Sequence, residues 1–355
     1  MLSPKVFVFA GVDRNRDSRL LEEAGCQLVI GDASWMTPQG NNEDEMCLMA
    51  QNADALIGTS IRSSPINRRV MLSSETLRIV AKYTIGVDDV DIEAATDLGI
   101  LVTNSPVESN WGAVAEGTIG LILALLKKPR ERDMLVRTGQ WRDESAAGTY
   151  LGARASDGYP GITLGIVGLG RIGGRIANLL RPWNMRILAY DPYVAESRFA
   201  EHGVESTDLS TLLRESDVVS LHVILTPETR QMISVEQLTL MKPTAVLINT
   251  SRGPVVDEIA LAAALRQETI RAAALDVFEE EPLPEASRQR LADLGGKVLL
   301  SPHMVASNAG SGMGLGTTMA TEAVLKALRG QVPDNVFNKE AIPQWLTRFE
   351  NKPLL

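Results

Sequence analysis

Three glycines have the spacing of a dinucleotide-binding loop. Gly168, Gly170 and Gly173 form a GxGxxG pattern between an apolar run typical of a strand and a segment typical of a helix. In such a loop the first glycine allows a tight turn, and the second lets the backbone approach a pyrophosphate. The third lets helix and strand pack closely, which leaves the helix N-terminus facing the phosphates.

An aspartate completes this pattern. Asp191 lies at the end of the next predicted strand, about twenty residues further on, where its carboxylate can accept hydrogen bonds from ribose hydroxyls. The same carboxylate would repel a 2′-phosphate, so the sequence predicts NAD rather than NADP. The alternative is a flexible loop, with Asp191 a turn residue before Pro192. The predicted cofactor-binding residues of this loop are Gly168, Gly170, Arg171, Ile172, Gly173 and Asp191.

His303 is a candidate for proton transfer. It is one of three histidines, and it follows a proline at the end of an apolar run, VLLSPH, that predicts a buried strand. Imidazole changes charge near neutral pH, so it can exchange a proton under physiological conditions. A single histidine is equally compatible with a structural role unless other parts of the chain supply partners. His222, within the predicted strand VVSLHVI, and His202, at a helix end beside Gly203, are poorer candidates.

Alternating strands and helices must position these residues. Short β-branched runs alternate with helical-length segments almost throughout, which is the pattern of parallel sheets with helices on both faces. A nearly all-apolar helix, WGAVAEGTIGLILALLKK, separates two such series, and the helix GLGTTMATEAVLKALRG follows the second. The predicted strands are KVFVFA, QLVIG, DALIGTS, LRIVAKY and ILVTN in the first series, and ITLGIVGLG, RILAYDP, DVVSLHVI, AVLINTS, AAALDVF and KVLLSPH in the second.

Length and composition limit the possible classes of protein. The 355 residues exceed the roughly 250 to 300 that one core usually spans, so two domains are expected. A net charge of −9 disfavours a nucleic-acid partner, and the most basic segment, residues 127–132, is predicted to be the solvated end of a helix.

The apolar run 118–126 is too short for a membrane span. Cys26 and Cys47 lack metal or redox spacing. We expect a cytoplasmic protein without a metal.

Several motifs together resemble one enzyme family. The segments KYTIGVDDVDIEAATDLGILVTNSP, GLGRIG, INTSRGPVVDE, AALDVFEEEP and SPH occur in the order and spacing of the D-isomer-specific 2-hydroxyacid dehydrogenases, which include phosphoglycerate, glycerate and D-lactate dehydrogenases. The resemblance implies an α/β fold of two doubly wound parallel-sheet domains. In this fold a Rossmann NAD-binding domain, residues 104–303, is inserted into a flavodoxin-like substrate (catalytic) domain, residues 1–103 plus 304–355.

The resemblance also implies a role for each of three residues. It makes Arg252 the substrate-binding arginine, Glu281 the acid that partners the histidine, and His303 the acid/base. Such residue types suit hydride transfer, because reduction of a 2-keto carbon develops negative charge on an oxygen that needs a proton donor. A carboxylate on the far ring nitrogen would fix the tautomer and favour the protonated form, and an arginine fork can bind a carboxylate.

Other positions match the family or depart from it. The resemblance implies that Asp276 holds the nicotinamide carboxamide and that backbone amides near Ile85 and Gly86 bind the substrate carboxylate. Thr84 stands where glycine is frequent in the family. Further departures are Val223 and Ile224 in place of threonine and proline, and Val305 and Asn308 in place of glycine and threonine. The irregular stretch 143–161 also exceeds the usual family connection. It is predicted to be a surface excursion, with a lid or subunit contact as alternatives.

The main prediction is an NAD-dependent oxidoreductase that interconverts a small D-2-hydroxy acid and its 2-keto acid, with the apolar helix 112–126 available to form a homodimer. An NAD(H)-sensing, corepressor-like interaction protein of the same fold is an alternative from another class. A phosphite or formate dehydrogenase is a third possibility. Formate enzymes pair the histidine with an amide side chain, so Glu281 disfavours that option.

Overall fold

The computed structural model describes residues 3–11, 14–36, 40–60, 64–308 and 314–355. The chain divides into two compact units, Met1–Asn110 with Asn308–Leu355, and Trp111–Ser307. These borders lie a few residues beyond the predicted ones at 103/104 and 303/304. One reason is that the helix leading into the second unit begins only at Glu108. Another is that the backbone after His303 is still hydrogen-bonded to the second unit.

Twelve strands and fourteen α-helices lie within the described ranges. The strands are β1 Lys5–Ala10, β2 Gln27–Ile30, β3 Ala55–Gly58, β4 Ile79–Lys82, β5 Leu101–Thr103, β6 Thr163–Val167, β7 Arg186–Tyr190, β8 Glu205–Ser206, β9 Val218–Leu221, β10 Val246–Asn249, β11 Ala272–Leu275 and β12 Val298–Leu300. The helices are α1 Arg14–Glu23, α2 Glu43–Ala50, α3 Arg68–Met71, α4 Ile92–Asp97, α5 Glu108–Lys127, α6 Pro129–Arg137, α7 Arg171–Leu180, α8 Glu196–His202, α9 Leu209–Glu215, α10 Val235–Leu240, α11 Glu258–Arg266, α12 Glu285–Ala292, α13 Gly314–Leu328 and α14 Ile342–Phe349.

The first unit is built on a five-stranded parallel sheet in the order β2-β1-β3-β4-β5. This is the flavodoxin-like strand order, and all five predicted strands are present. One face of the sheet packs on α2 and α4, with Phe7 and Met46 in the core between them. The other face packs on α13 and α14, where Val324 and Trp345 are fully buried. The predicted helix after the second sheet therefore belongs to the first unit.

The second unit is built on a seven-stranded parallel sheet in the order β12-β11-β10-β9-β6-β7-β8. If β6 is counted as strand 1 of this unit, the order read from β8 is 3-2-1-4-5-6, and β12 follows as a seventh strand. This is the Rossmann arrangement. The strand order reverses between β6 and β9, the neighbouring pair at the centre of the sheet. In open α/β sheets ligands bind at the carboxyl ends of the strands beside such a reversal.

One local prediction needs correction, and two elements were not predicted. The strand β8 has only two residues, and the helix α14 lies in a tail for which no element was predicted. The basic segment 127–132 is not one helix end. Instead α5 ends at Lys127, Lys128 adopts a left-handed conformation, and α6 begins at Pro129.

Helix α5 is much longer than its apolar run. It has 20 residues, and it is the one helix among the described residues that is long and apolar enough, by length and composition only, to cross a membrane. The buried core helix of a folded domain passes the same test. Ala115, Ile122 and Leu126 of α5 are buried in the core of the second unit with residues of β6 and α7.

Candidate active site

The glycine loop joins β6 to α7 as its sequence predicts. Gly168 has a φ of +97°, and a Cβ there would lie 2.6 Å from the carbonyl oxygen of His222. A Cβ on Gly173 would lie 2.2 Å from the carbonyl oxygen of Gly168. The first and third glycines are therefore required by the turn and by the packing of α7 on β6. A Cβ on Gly170 would meet no atom within 4 Å.

The open space at Gly170 fits a bound pyrophosphate. Gly170 is the N-cap of the ten-residue helix α7, and no side chain caps this end. The first backbone N–H groups of a helix lack partners within it and favour an anion. Arg171 is exposed at the start of α7, while Ile172 packs partly against the core. This loop could thus hold the diphosphate of NAD.

Asp191 lies directly against this loop. It follows β7, and its Oδ2 accepts a hydrogen bond from the backbone N–H of Leu169 at 2.8 Å. Its Oδ1 accepts one from the N–H of Tyr193 at 3.0 Å. A carboxylate has about four lone-pair sites, so both oxygens can still accept bonds from ribose hydroxyls. The structure thus brings the predicted aspartate next to the predicted phosphate loop.

His303 and Glu281 form a hydrogen-bonded pair. The Nδ1 atom of His303 lies 2.8 Å from Oε2 of Glu281. The other carboxylate oxygen, Oε1, accepts the backbone N–H of Phe278 at 2.9 Å, which fixes the orientation of Glu281. The histidine side chain is 40% exposed and the glutamate side chain 15%, so the ring faces solvent while its partner is shielded. Nδ1 is bonded to the carboxylate, so Nε2 is the ring nitrogen assigned to proton exchange with a ligand.

Asp276 fixes the backbone that carries His303. Its side chain is buried at the end of β11, and Oδ1 accepts hydrogen bonds from the N–H groups of Met304 at 2.9 Å and Val305 at 3.1 Å. His303 itself has a φ of +55°, in the left-handed region that few non-glycine residues adopt. Burial raises the pKa of Asp276, while a hydrogen bond with Ser301, the charge of His303 and these two amides oppose that shift. This link to the histidine loop was not visible in the sequence.

Arg252 follows the strand next to β11. Arg252 is half-buried and lies three residues beyond Asn249, the last residue of β10. Its Nη1 donates to the carbonyl of Ser251 at 2.7 Å. A Cβ on the adjacent Gly253 would lie 1.8 Å from the backbone carbonyl of Phe278. The arginine loop is therefore packed against the segment that leads to Glu281. Arg252, Asp276 and His303 all follow neighbouring parallel strands, so they lie at the same edge of the sheet.

Ile85 and Gly86 belong to the first unit. They lie after β4 in a half-buried loop, where the carbonyl of Ile85 accepts a hydrogen bond from Nδ2 of Asn104 at 2.8 Å. The carbonyl of Gly86 accepts one from Oγ1 of Thr84 at 3.0 Å. Both carbonyls are thus engaged by side chains of the same unit. The predicted carboxylate-binding role of the amides near these two residues stays a prediction.

His222 lies next to the glycine loop. It directly follows β9 at the reversal of strand order, and its Nε2 lies 2.8 Å from the hydroxyl of Ser220. Burial lowers the pKa of His222 from its ordinary 6.5 to about 3, so the ring is neutral at physiological pH. His202 ends α8, is buried, and contacts Asn178 through Nδ1 at 3.1 Å, which fits a structural role.

Comparisons with known proteins agree with this geometry. Residues 119–305 match the family described as "D-isomer specific 2-hydroxyacid dehydrogenase, NAD binding domain". The chain is 38% identical over 345 residues to a glyoxylate reductase of Korarchaeum cryptofilum, covering 96% of this chain and 98% of that protein. It is also 38% identical over 327 residues to a D-3-phosphoglycerate dehydrogenase of Methanocaldococcus jannaschii, covering 92% of this chain but only 58% of that longer protein.

A solved structure gives the same result. The fold is similar to that of a D-lactate dehydrogenase from Aquifex aeolicus complexed with NAD and lactic acid, with a TM-score of 0.79, 27% identity, and coverage of 94% of this chain and 99% of that one. The second unit thus has the fold and the sequence of an NAD-binding oxidoreductase domain. The chain belongs to the D-isomer-specific 2-hydroxyacid dehydrogenase family.

Proposed function

We propose that this protein interconverts a small D-2-hydroxy acid and its 2-keto acid, with His303 as the acid/base. The observation that carries this proposal is the 2.8 Å contact between His303 Nδ1 and Glu281 Oε2. This pair lies at the carboxyl edge of the NAD-binding sheet, and its ring is accessible to a ligand. The nicotinamide cofactor, when bound, supplies or accepts the hydride.

His303 supplies the proton in reduction. As negative charge develops on the carbonyl oxygen, the protonated ring donates its Nε2 proton to that oxygen. In oxidation the neutral ring removes the hydroxyl proton through the same nitrogen. Glu281 bonds to Nδ1 and keeps the ring in one orientation, because the N–H of Phe278 holds its other oxygen.

The substrate carboxylate is assigned to two kinds of donor. Arg252 offers a planar guanidinium that can form paired hydrogen bonds with a carboxylate. The backbone amides near Ile85 and Gly86 are the second set, in keeping with the half-buried position of their loop. Asp276 is assigned to the nicotinamide carboxamide in addition to its hydrogen bonds with the histidine loop.

NAD is the proposed cofactor, in preference to NADP. The support is the carboxylate of Asp191, held against the glycine loop by the amides of Leu169 and Tyr193. A 2′-phosphate bound at this place would bring negative charge close to that carboxylate. NADP is the alternative that the experiment below distinguishes.

We also propose a cytoplasmic homodimer. Ile119, Leu121 and Leu123 of α5 are only partly buried in the second unit, so a second copy could cover them. Cys26 and Cys47 are both free, which suits a reducing compartment. Light scattering at micromolar concentration tests the dimer, and a monomeric mass would contradict it.

The experiment is NADH oxidation by the purified protein with a panel of 2-keto acids, namely glyoxylate, hydroxypyruvate, 2-ketobutyrate, phenylpyruvate and phosphohydroxypyruvate, with NADPH in parallel. We expect clear turnover of at least one acid, and faster turnover with NADH than with NADPH. Tight NADH binding without turnover of any acid would instead favour the NAD(H)-sensing alternative. Phosphite and formate are included with NAD⁺ to test the third possibility.

A further inference from the structure

A buried ion pair lies next to the loop that contains Ile85 and Gly86. Lys82, the last residue of β4, and Asp89 are both buried, and the ammonium of Lys82 is hydrogen-bonded to Oδ2 of Asp89. The ammonium also donates to the carbonyl of Thr59 at 3.1 Å and lies 4.9 Å from the ring centre of Phe9. Burial lowers the pKa of Lys82, while the charge of Asp89 opposes this shift.

Hydroxyl groups connect this ion pair to the loop. The second oxygen of Asp89, Oδ1, accepts a hydrogen bond from Oγ of Ser60 at 3.3 Å. The Ser60 hydroxyl lies 3.0 Å from Oγ1 of Thr84, which in turn donates to the carbonyl of Gly86 at 3.0 Å. Each hydroxyl has a single hydrogen. If Ser60 donates to Asp89 and Thr84 donates to Gly86, no hydrogen remains for the Ser60–Thr84 contact. Ser60 itself makes the connection, because its Oγ also lies 3.3 Å from the carbonyl oxygen of Gly86. The Ser60 hydroxyl therefore contacts both the ion pair and the loop.

Side-chain hydrogen bonds orient the two carbonyls of the loop. The carbonyl of Gly86 is directed towards Thr84, and the carbonyl of Ile85 towards Asn104 at 2.8 Å. In a planar trans peptide the N–H points opposite to the C=O of the same plane. The N–H of Gly86 therefore points away from Asn104, and the N–H of Val87 points away from Thr84. Backbone N–H groups of consecutive residues can together bind an anion such as a carboxylate.

We propose that Lys82 and Asp89 are positioning residues for the substrate carboxylate. They orient Ser60 and Thr84, which hold the carbonyl of Gly86 so that the loop amides face the ligand. This inference rests on the proposed function. A buried ion pair gives little more stability than apolar side chains of similar volume. What this pair adds is a fixed carboxylate whose second oxygen bonds to Ser60.

The test uses two changes that break the network at different points. Lys82→Met combined with Asp89→Leu removes both charges, so no unpaired charge is left in the core. Ser60→Ala removes only the hydroxyl that joins Asp89 to the loop. For each variant we expect KM for the 2-keto acid to rise about tenfold with kcat little changed, because ground state and transition state lose the same carboxylate contact. The Kd of NADH is expected to stay constant.

A matched control removes a hydroxyl from the opposite edge of the same sheet. Ser74 is buried in the first unit, and its Oγ donates to the carbonyl of Ala53 at 2.7 Å, before β3 begins. Ser74→Ala therefore lowers Tm, and we expect it to leave KM unchanged. A rise of KM in Ser74→Ala equal to that in Ser60→Ala would show that general loss of stability, and not loop orientation, controls KM.

Amide hydrogen exchange of residues 83–90, measured by mass spectrometry on the ligand-free proteins, gives a readout that does not depend on turnover. We expect faster exchange in the double variant and in Ser60→Ala, and none of this increase in Ser74→Ala. Unchanged exchange would overturn the positioning role, and so would an unchanged KM in variants of an active enzyme. If the unaltered protein reduces no 2-keto acid, the proposed function fails. Faster exchange in the double variant and in Ser60→Ala would still show that Lys82 and Asp89 orient the loop.

Discussion

Glu281 contacts the imidazole of His303 through one oxygen, at 2.8 Å, and the backbone N–H of Phe278 through the other, at 2.9 Å. The carboxylate is thus held on both sides, and it cannot rotate away from the ring without losing a hydrogen bond. A carboxylate fixed in this way orients the histidine ring to which it is bonded. This relationship is the basis of the first prediction.

Glu281→Gln is expected to lower kcat by about 10- to 100-fold. The amide keeps nearly the same shape but places no negative charge beside Nδ1 of the ring. The Kd of NADH should not change, because the glycine loop is not altered. Steady-state kinetics and NADH fluorescence titration measure the two quantities. Glu280→Gln is the matched control, since Glu280 is the exposed neighbour. Equal losses in both variants would contradict a specific role for Glu281.

Two glycines of the cofactor loop are predicted to respond differently to alanine. At Gly170 a Cβ would meet no protein atom within 4 Å, so Gly170→Ala should fold with an almost unchanged Tm. The added methyl group would occupy the space assigned to the pyrophosphate, and the Kd of NADH should rise about tenfold. At Gly173 a Cβ would lie 2.2 Å from the carbonyl of Gly168, so Gly173→Ala should lower Tm. Normal NADH affinity in Gly170→Ala would argue against this loop as the phosphate site.

His222 is predicted to make stability depend on pH. In the unfolded chain His222 takes up a proton as the pH falls through 6.5, whereas in the folded chain its pKa is about 3. The unfolded state binds more protons between these values, so stability decreases as the pH falls from 7 to 5. His222→Gln should reduce that decrease by about 2 kcal/mol.

Urea denaturation of both proteins at pH 7 and pH 5 measures this difference. Burial also lowers the pKa of His202, so His202 acts in the same direction in both proteins and cancels from the comparison. If the wild type and His222→Gln lose the same free energy of unfolding between the two pH values, His222 does not stay neutral in the folded protein.

The sequence alone predicts the features that depend on local pattern. Apolar runs indicate all five strands of the first sheet and six of the seven in the second, because buried parallel strands are apolar throughout. The glycine spacing and Asp191 predict a loop that the structure forms, with the carboxylate bonded to the amide of Leu169. The strand β8 was missed because it has two residues, and both are exposed.

The features missed in the sequence depend on contacts between distant segments. The amides of Met304 and Val305 bond to Asp276, which lies 28 and 29 residues earlier in the chain. Ser60 and Thr84 meet only because β3 and β4 are neighbours in the first sheet. No periodicity or spacing motif indicates such pairs, and side-chain hydrogen bonds of this kind follow from the tertiary fold.

The most direct test of the central claim is the turnover of His303→Asn with the best 2-keto acid and saturating NADH. Asparagine can retain a contact with Glu281, and like histidine it tolerates the left-handed backbone at this position, where φ is +55°. Loss of general acid catalysis should lower kcat by about 10²- to 10⁴-fold, with the Kd of NADH unchanged. A kcat within a few-fold of the wild-type value would contradict the assignment of His303 as the acid/base.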